Sequence, residues 1–564
     1  MSLKRVSLIF VIIVLFLSGC AGLEGELPKG EQELEELPEI SLLVSDYESD
    51  RLYAQVFQEM FKENLGVDVV INSVDPKTYM ELLGKGDFSM HYIGWSGDYN
   101  DPLTFLDLWV TNAPFNTTGW SNKDYDELIN AARTTLDPQE RLDSLLAAEN
   151  LLLEEAPIAP IFWPVRNYLD QEYVFDLARP PVGPATEYKW AYTEGKPEGD
   201  GILNINLSDD PATLDPHHSY DIISREVINA VFEGLVRMDK DGNIKKGSGL
   251  AEDWTISDDG LTITFTLRPA YWSDGKQITA SDFEFAWKRA IDPRTASPHG
   301  EKFYPIAGAK EANLTPLFDE EGNELDGAGE EIEAALKKVG IKAKDSRTLE
   351  VNLAQTTPHF IDLIALPAFY PLPQHFLEST EEPFAEPENA VYNGPFVLNE
   401  WRYGDLITLS KNKQYWDKQN VRLEKINLFM IKDQKTTLAL FDQGKLDTIN
   451  VPGTFFSEYR DKGLESFPEA ALYYLGFNLQ EPLFANAKVR LAFSLSLDRQ
   501  SFAEYTLQDG SLPTTSVTPP RITSPLGTSF QSLLKHSLPS QGDANKARKL
   551  FEEGLEELGY KITP

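Results

Sequence analysis

Apolar and polar residues between positions 40 and 102 follow a pattern that predicts strands and helices in turn, ending in a polar loop. The apolar pattern stops after Trp95, where Gly97 frees the backbone and Pro102 ends any strand. We therefore predict a β-α-β-α-β unit whose last strand opens into a loop, the position at which open α/β sheets tend to bind ligands. The predicted strands are 40–44, 67–74 and 88–95, and the predicted helices are 51–64 and 76–83.

The remainder of the chain also mixes strands with helices and shows no short internal repeat. Residues 124–155 predict two helices, the second capped by Asp137. Residues 158–165 are apolar but include two prolines, which favours an edge or irregular strand. Residues 193–201 are rich in glycine and charge, and we predict a linker that buries none of its charges. Further strands are predicted at 202–207, 261–267, 349–353, 406–410 and 426–429, and further helices near 224–232, 435–443, 489–497 and 545–558.

The start of the chain has the pattern of a lipoprotein signal peptide. Lys4 and Arg5 precede an apolar run at 6–17 that is too short to span a bilayer, and Cys20, the only cysteine, follows Leu-Ser-Gly. This pattern resembles a bacterial lipobox, which predicts cleavage before Cys20 and attachment of a lipid to its sulfur. A buried free thiol is the alternative. We expect an acidic tether to follow and to hold the body at the extracellular face of the bacterial cytoplasmic membrane.

Length and charge narrow the classes of function. A chain of 564 residues with a formal net charge of −38 has room for several domains and should repel nucleic acid, so we predict no nucleic-acid partner. A solvated acidic exterior explains this charge without any ligand. A single cysteine permits no disulfide within the chain, and stability must come from burial.

The motifs of common cofactor and catalytic sites are absent. None of the seven histidines forms the helical pair of a zinc hydrolase, and neither a phosphate-binding loop nor a dinucleotide motif occurs. The segment 94–97, Gly-Trp-Ser-Gly, half matches a nucleophile elbow, but Asp98 replaces the last glycine of that motif. We therefore predict no cofactor, no metal and no enzyme activity, although so many carboxylates leave a glycosidase pair open.

Several short blocks occur together over most of the chain. The loop block 94–102 reads Gly-Trp-Ser-Gly-Asp-Tyr-Asn-Asp-Pro, and the block 213–216 reads Thr-Leu-Asp-Pro. Together the blocks resemble the oligopeptide- and dipeptide-binding proteins of ABC importers, the extracellular solute-binding proteins of family 5. The other blocks are 120–122, 231–235, 249–254, 257–261, 272–275, 282–287, 393–396, 415–417, 477–478 and 489–490.

The order of the blocks differs from that of the family. In the family the Thr-Leu-Asp-Pro block opens the mature protein, and the Gly-Trp-x-x-Asp-Tyr block lies near its end. Here residues 40–192 resemble the family's last third and residues 202–564 its first two thirds, so the chain resembles a circular permutant. Residues 193–201 would join the family's two natural termini, which is tolerable where termini lie close together at a surface. A rearranged or misassembled reading frame is the alternative.

The resemblance implies an α/β fold of the two-lobed periplasmic-binding-protein type (type II, cluster C). Such a protein is a clam-shell that closes over its ligand, here circularly permuted and with an extra domain. The implied divisions are 1–19 signal peptide, 20–38 lipidated tether, 39–164 lobe II, 165–232 lobe I with the joint at 193–201, 233–372 extra domain, 373–473 lobe I, and 474–564 lobe II.

By the same resemblance the ligand is an extended oligopeptide that is delivered to the transmembrane permease subunits of an ABC importer. Asp98 is then the carboxylate that binds the peptide's amino terminus, a charge-assisted contact worth roughly 1.5–3 kcal/mol. Backbone pairing gives affinity without reading side chains, so we expect broad specificity, and we expect a monomer. The implied peptide-binding residues are Gly94, Trp95, Ser96, Asp98, Tyr99 and Asn100 from lobe II, and Tyr220, Asp221 and Ile222 from lobe I.

The chain departs from the family at positions that shape the pocket. Pro76 stands where many relatives carry a stacking tryptophan, and His299 and Pro164 stand where others show tyrosines. The peptide's length and side-chain preference therefore stay open. Nickel, haem and oligosaccharides, each bound by some relatives, are alternative ligands, and a hydrolase or a non-transport adhesin or signalling receptor are alternative functions.

Overall fold

The computed structural model describes residues 36–240, 242–319, 323, 325–379, 390–535 and 538–561. The predicted signal peptide, the lipidation site at Cys20 and most of the predicted tether lie outside these residues. The described chain is built from three large β-sheets, one two-stranded sheet and the helices packed on them. Over the same residues, none of the helices combines the length and the apolar character needed to cross a membrane.

One sheet contains six described strands and mixes parallel with antiparallel pairs. Ile40–Ser45 pairs in parallel with Val69–Val74 on one side and with Met90–Ser96 on the other. Met90–Ser96 pairs antiparallel with Ala471–Phe477, from the far end of the chain. The spatial order is Leu512–Pro513, Ile158–Trp163, Ala471–Phe477, Met90–Ser96, Ile40–Ser45 and Val69–Val74.

Helices cover both faces of this sheet, which explains why its strands read as apolar runs. Glu48–Leu65 packs on one face and contacts Ala544–Leu558. Pro138–Glu155 packs on the opposite face, and it begins where predicted because the Asp137 carboxylate accepts hydrogen bonds from the amides of the first turn. The segment 40–95 therefore forms the predicted β-α-β-α-β unit inside a sheet that both ends of the chain complete.

A second sheet has seven strands within the described ranges. Its central strand, Ile202–Asn206, pairs in parallel with Lys425–Phe429. The spatial order is Phe396–Arg402, Leu406–Lys411, Lys425–Phe429, Ile202–Asn206, Thr448–Asn450, Val165–Asp170 and Glu465–Pro468.

A third, antiparallel sheet of four described strands shares a continuous apolar core with the second. Its spatial order is Ile341–Ala343, Thr348–Asn352, Thr262–Leu267 and Ala251–Ile256. A small sheet pairs Val174–Phe175 with Tyr192–Thr193. The remaining α-helices of the described residues are Pro76–Lys85, Leu103–Leu106, Lys123–Thr134, Ile222–Val231, Ala280–Ile291, Ala309–Asn313, Ala328–Leu336, Phe360–Leu363, Gln374–Leu377, Gln434–Asp442, Phe456–Tyr459, Ala487–Leu495 and Arg499–Ser501.

The six-stranded and seven-stranded sheets are joined by two segments that run side by side. Ile158–Trp163 continues into Val165–Asp170, and Glu465–Pro468 continues into Ala471–Phe477. Near the first crossing, the Arg166 guanidinium lies 2.8 Å from a carboxylate oxygen of Glu469 in the second. The two crossings therefore lie next to each other.

The sheet order and the burial of one lysine test two expectations about irregular segments. The predicted irregularity of residues 158–165 is confirmed, because the register slips opposite Pro160, but the strand lies one place in from the edge. The prediction that residues 193–201 bury no charge is wrong. The Lys196 ammonium is buried and lies 2.6 Å from Asp447, a fully buried carboxylate that requires a partner.

Candidate functional site

The end of strand Met90–Ser96 has a free edge. On one side, residues 94–96 pair with residues 471–473. On the other side, the pairing with Ile40–Ser45 extends no further than His91, so no described strand pairs with residues 94–96 there. An open edge of this kind accepts an added strand through its backbone N–H and C=O groups.

The absence of a side chain at Gly94 allows close packing behind this edge. A Cβ atom at Gly94 would lie 2.7 Å from the ring of Tyr473. That ring has little room to move, because it stacks on Phe162 at a centroid distance of 4.7 Å and on Tyr92 at 5.8 Å. A side chain at position 94 would therefore displace the strand that carries the edge.

Thr104 holds the turn that follows the edge. The Trp95 indole Nε1 donates to the Thr104 carbonyl at 2.9 Å, and the Asp98 amide donates to Thr104 Oγ1 at 2.9 Å. Ser96 is exposed, and the side chain of Asp98 is 38% exposed. The free edge therefore ends at an accessible carboxylate.

Lys302 forms an ion pair with this carboxylate. Its Nζ lies 2.8 Å from Asp98 Oδ2, and its side chain is only 18% exposed. Lys302 belongs to the short turn Gly300–Phe303, which packs with the third sheet. No motif marks this lysine, so sequence reasoning missed it, and an ammonium of the protein itself already contacts the acid predicted to bind one.

The next two predicted site residues contact other protein groups. The ring of Tyr99 stacks on His359 at a centroid distance of 5.1 Å. Asn100 is buried, donates from Nδ2 to the Gly242 carbonyl at 3.0 Å and accepts from the Thr523 amide at 3.0 Å. These two side chains therefore attach the loop to the segments around His359, Gly242 and Thr523.

A buried ion pair anchors the base of the loop. Both carboxylate oxygens of Asp101 accept from the Arg141 guanidinium, at 2.7 and 2.9 Å. Burial alone would raise the pKa of Asp101, but Arg141 more than offsets this and holds that pKa below its ordinary value. Burial and the charge of Asp101 raise the pKa of the nearby Asp362 to about 7. The arginine therefore keeps Asp101 ionised in a site that already disfavours a second negative charge.

The predicted residues from lobe I lie at the start of helix Ile222–Val231. Tyr220 is 72% exposed. The Asp221 carboxylate accepts from the Ser224 amide at 2.7 Å and so caps the helix. Ile222 is half-buried and lines a cavity.

Arg225, in the same helix, links this region to Asp98. Burial lowers the pKa of Arg225, and the strongest charges opposing that shift are those of Asp98 and Asp221. Its Nε is buried without a hydrogen-bond partner, and no described residue forms an ion pair with it. His299 donates from Nε2 to the Ser219 carbonyl at 2.6 Å. Burial lowers the pKa of His299, and the negative charge of Asp98 partly opposes this shift. The structure therefore brings Asp98 close to the start of this helix, although Arg225 carries no sequence signal of its own.

The cavity beside Ile222 has a volume of about 690 Å³. It lies at the carboxyl ends of Ile202–Asn206 and Thr448–Asn450, and its volume is within the range of about 300–1,000 Å³ found for ligand sites. Polar side chains in its wall include Arg166, Tyr168, Glu226, Lys432 and Asn450. Across the described ranges, no group of three or more His, Cys, Asp or Glu residues could hold a metal ion.

Glu226, in the wall of this cavity, makes folding stability depend on pH. Burial raises its pKa to about 7, against the hydrogen bond from Tyr188 and the charges of Arg166 and Arg179. The folded protein therefore binds the proton of the Glu226 carboxyl more tightly than the unfolded chain does. The contribution of this proton to the free energy of unfolding is complete below about pH 4.5 and is lost as the pH rises through about 7.

We expect Glu226→Gln to remove this part of the pH dependence. The free energy of unfolding of the wild type should fall by about 2 kcal/mol more than that of the variant between pH 5 and pH 8, as measured by urea denaturation. Asp362→Asn should remove a separate part of the pH dependence of similar size, because Asp362 has a similarly raised pKa at another site. Parallel pH profiles of the wild type and Glu226→Gln would contradict the assignment.

Comparison with known proteins finds a matching family model and several similar proteins. The family model described as bacterial extracellular solute-binding proteins, family 5 Middle, matches residues 21–117 and 247–563, which is more than half of the chain. The chain is 32% identical over 380 residues to the dipeptide-binding protein DppE of Bacillus subtilis, a match that covers 66% of this chain and 65% of DppE. It is 35% identical over 376 residues to the oligopeptide-binding protein OppA of the same organism, covering 65% of this chain and 64% of OppA.

A solved structure agrees with these relatives. The periplasmic murein tripeptide-binding protein MppA, in its unliganded open form, superimposes with a TM-score of 0.50 at 28% identity, covering 64% of this chain and 66% of that one. The matches thus span just under two thirds of the curated relatives' length. The predicted α/β fold of the periplasmic peptide-binding type is confirmed. The chain belongs to the bacterial extracellular solute-binding proteins of family 5.

Proposed function

We propose that the protein is the substrate-binding component of an ABC importer, which captures extended oligopeptides and delivers them to the permease in the membrane. The observation that carries this function is the free strand edge at residues 94–96, which ends at the accessible carboxylate of Asp98. A peptide along this edge would pair its main chain with the strand and present its ammonium to the acid. The names of the two Bacillus subtilis relatives support the same class of ligand.

The two lobes that would close over the peptide correspond to the six-stranded and seven-stranded sheets, with the third sheet as the extra domain. Strand membership supports the predicted divisions, since each sheet draws its strands from its own ranges apart from the first residues of Ala471–Phe477. The adjacent crossings near Arg166 and Glu469 would serve as the hinge.

Binding without turnover is the test of this function. Calorimetric titration with synthetic pentapeptides should give dissociation constants of about 10 μM or lower, and mass spectrometry after long incubation should find the peptides intact. Cleaved peptides would establish a hydrolase. If none of the peptides binds, the proposed peptide-binding function is wrong. Peptide uptake that is unchanged after deletion of the gene would favour a non-transport receptor.

The circular permutation remains part of the proposal. It is supported by the separation of the family match into two blocks, 21–117 and 247–563. It is also supported by the joint at 193–201, where the Gly201 amide donates to Thr193 Oγ1 at 2.8 Å, so that the two flanks of the joint meet. Mass mapping of the purified protein should recover a peptide that spans the joint, and a map that covers the sequence on both sides but lacks this peptide would indicate a misassembled frame.

Attachment to the membrane through Cys20 is also proposed. Its support is the short apolar run at 6–17 followed by Leu-Ser-Gly-Cys. Cys20→Ser should release the protein from the membrane fraction, and a variant that stays in that fraction would exclude this anchor.

A further inference from the structure

The acid predicted to bind the peptide's ammonium lies among cations of the protein itself. Lys302 contacts Asp98 at 2.8 Å, and Arg225 has Asp98 as the strongest opposing charge. Two acids, Asp98 and Asp221, face these two cations, so the group is balanced before any ligand arrives. His299 nearby has a lowered pKa, mainly because it is buried, and adds little charge near pH 7.

Two further cations around this region already have partners. Arg166 pairs with Glu469 at 2.8 Å, and Lys432 pairs with Asp209 at 2.8 Å. Arg225 is different, since its Nε is buried without a hydrogen-bond partner and no described residue forms an ion pair with it. A largely buried guanidinium without such a partner favours an incoming anion.

A peptide's ammonium would disturb the balance at this position. When it binds Asp98 it displaces Lys302, whose mostly buried ammonium then lacks its acid. The site would hold three cations against two carboxylates. A carboxylate on the same ligand, a few bonds from the ammonium, restores the balance by contacting Lys302 and Arg225.

We propose that Lys302 and Arg225 form a carboxylate-binding subsite beside Asp98, and that the protein prefers peptides whose first residue is glutamate or aspartate. This inference rests on the proposed peptide-binding function. The subsite reads one side chain in a ligand that is otherwise held by its backbone. It does so although the chain as a whole has a formal net charge of −38, which works against acidic peptides at long range.

Titration with three synthetic pentapeptides that differ only in a first residue of Glu, Gln or Lys tests the subsite. The wild type should bind the Glu peptide about tenfold more tightly than the Gln peptide, and the Lys peptide most weakly. In Arg225→Gln and in Lys302→Gln the ratio between Glu and Gln should fall below about threefold. Arg402→Gln, which changes an arginine in an exposed surface ion pair, is the matched control and should keep the wild-type ratio.

The outcomes separate this inference from the function on which it rests. If the wild type binds Glu and Gln peptides equally, or if both variants keep the tenfold ratio, the subsite is wrong while peptide binding stands. If the wild type binds none of the three peptides, the proposed function fails and the subsite fails with it. Circular dichroism of both variants shows whether they are folded, so that a reduced ratio between the Glu and Gln affinities is not mistaken for unfolding.

Discussion

Asp98→Ala is expected to weaken the binding of a pentapeptide with a free amino terminus by at least about tenfold. The lost contact is a charge-assisted hydrogen bond between carboxylate and ammonium, worth roughly 1.5–3 kcal/mol, and 1.4 kcal/mol corresponds to a factor of ten. Calorimetric titration measures the change directly. The side chain of Asp98 is 38% exposed, so its removal should leave the fold intact.

The matched ligand for this experiment is the same pentapeptide with an acetylated amino terminus. It carries no ammonium, so the wild type and Asp98→Ala should bind it within about threefold of each other. Asp461→Ala, at a side chain that is 88% exposed, is the control variant and should change neither affinity. Equal loss for both peptides would show that Asp98 supports the loop without binding the amino terminus.

Arg141→Met is expected to cost about 3–5 kcal/mol of folding stability, the largest effect on stability that we predict. The variant leaves Asp101 buried without its bidentate partner, close to Asp362, and removes the bond from Arg141 Nε to the Ala132 carbonyl at 2.9 Å. Urea denaturation measures the loss. Because Asp101 lies at the base of the loop that carries Asp98, peptide affinity should also fall at temperatures where the variant is folded.

Arg402→Met is the matched control for this loss. Arg402 also contacts two acids, Glu400 at 3.3 Å and Asp405 at 3.0 Å, but its side chain is 53% exposed. Exposed pairs contribute about 0–1 kcal/mol, so this variant should be nearly as stable as the wild type. A similar loss in both variants, or a loss below about 1 kcal/mol in Arg141→Met, would contradict the importance of the buried pair.

The local elements were predictable because their signals are local. The apolar run at 88–95, ended by Gly97 and Pro102, predicts a strand that opens into a loop, and strand Met90–Ser96 confirms it. Asp137 predicts a helix start through its own side chain, and the cap is present. Such features depend on neighbours a few residues away, which a sequence displays directly.

The charges around the site were not predictable, because they depend on contacts between distant parts of the chain. Lys302 meets Asp98, and Arg225 approaches it from another helix, although neither residue stands in a pattern that indicates binding. The sequence around Lys196 indicates a solvated linker residue, but its side chain is buried and pairs with Asp447. The resemblance proposed site residues from the loop, yet Asn100 proves to be buried against Gly242 and Thr523. Its contacts come from sequence positions that no local pattern connects.

Mass spectrometry of the ligand that leaves the protein when it is denatured after native purification tests the central claim most directly. We expect a mixture of short peptides of varied sequence, enriched in glutamate or aspartate at the first position, each with its main chain intact and its amino terminus free. A single non-peptide species, such as nickel, haem or an oligosaccharide, or peptides with blocked amino termini, would contradict it.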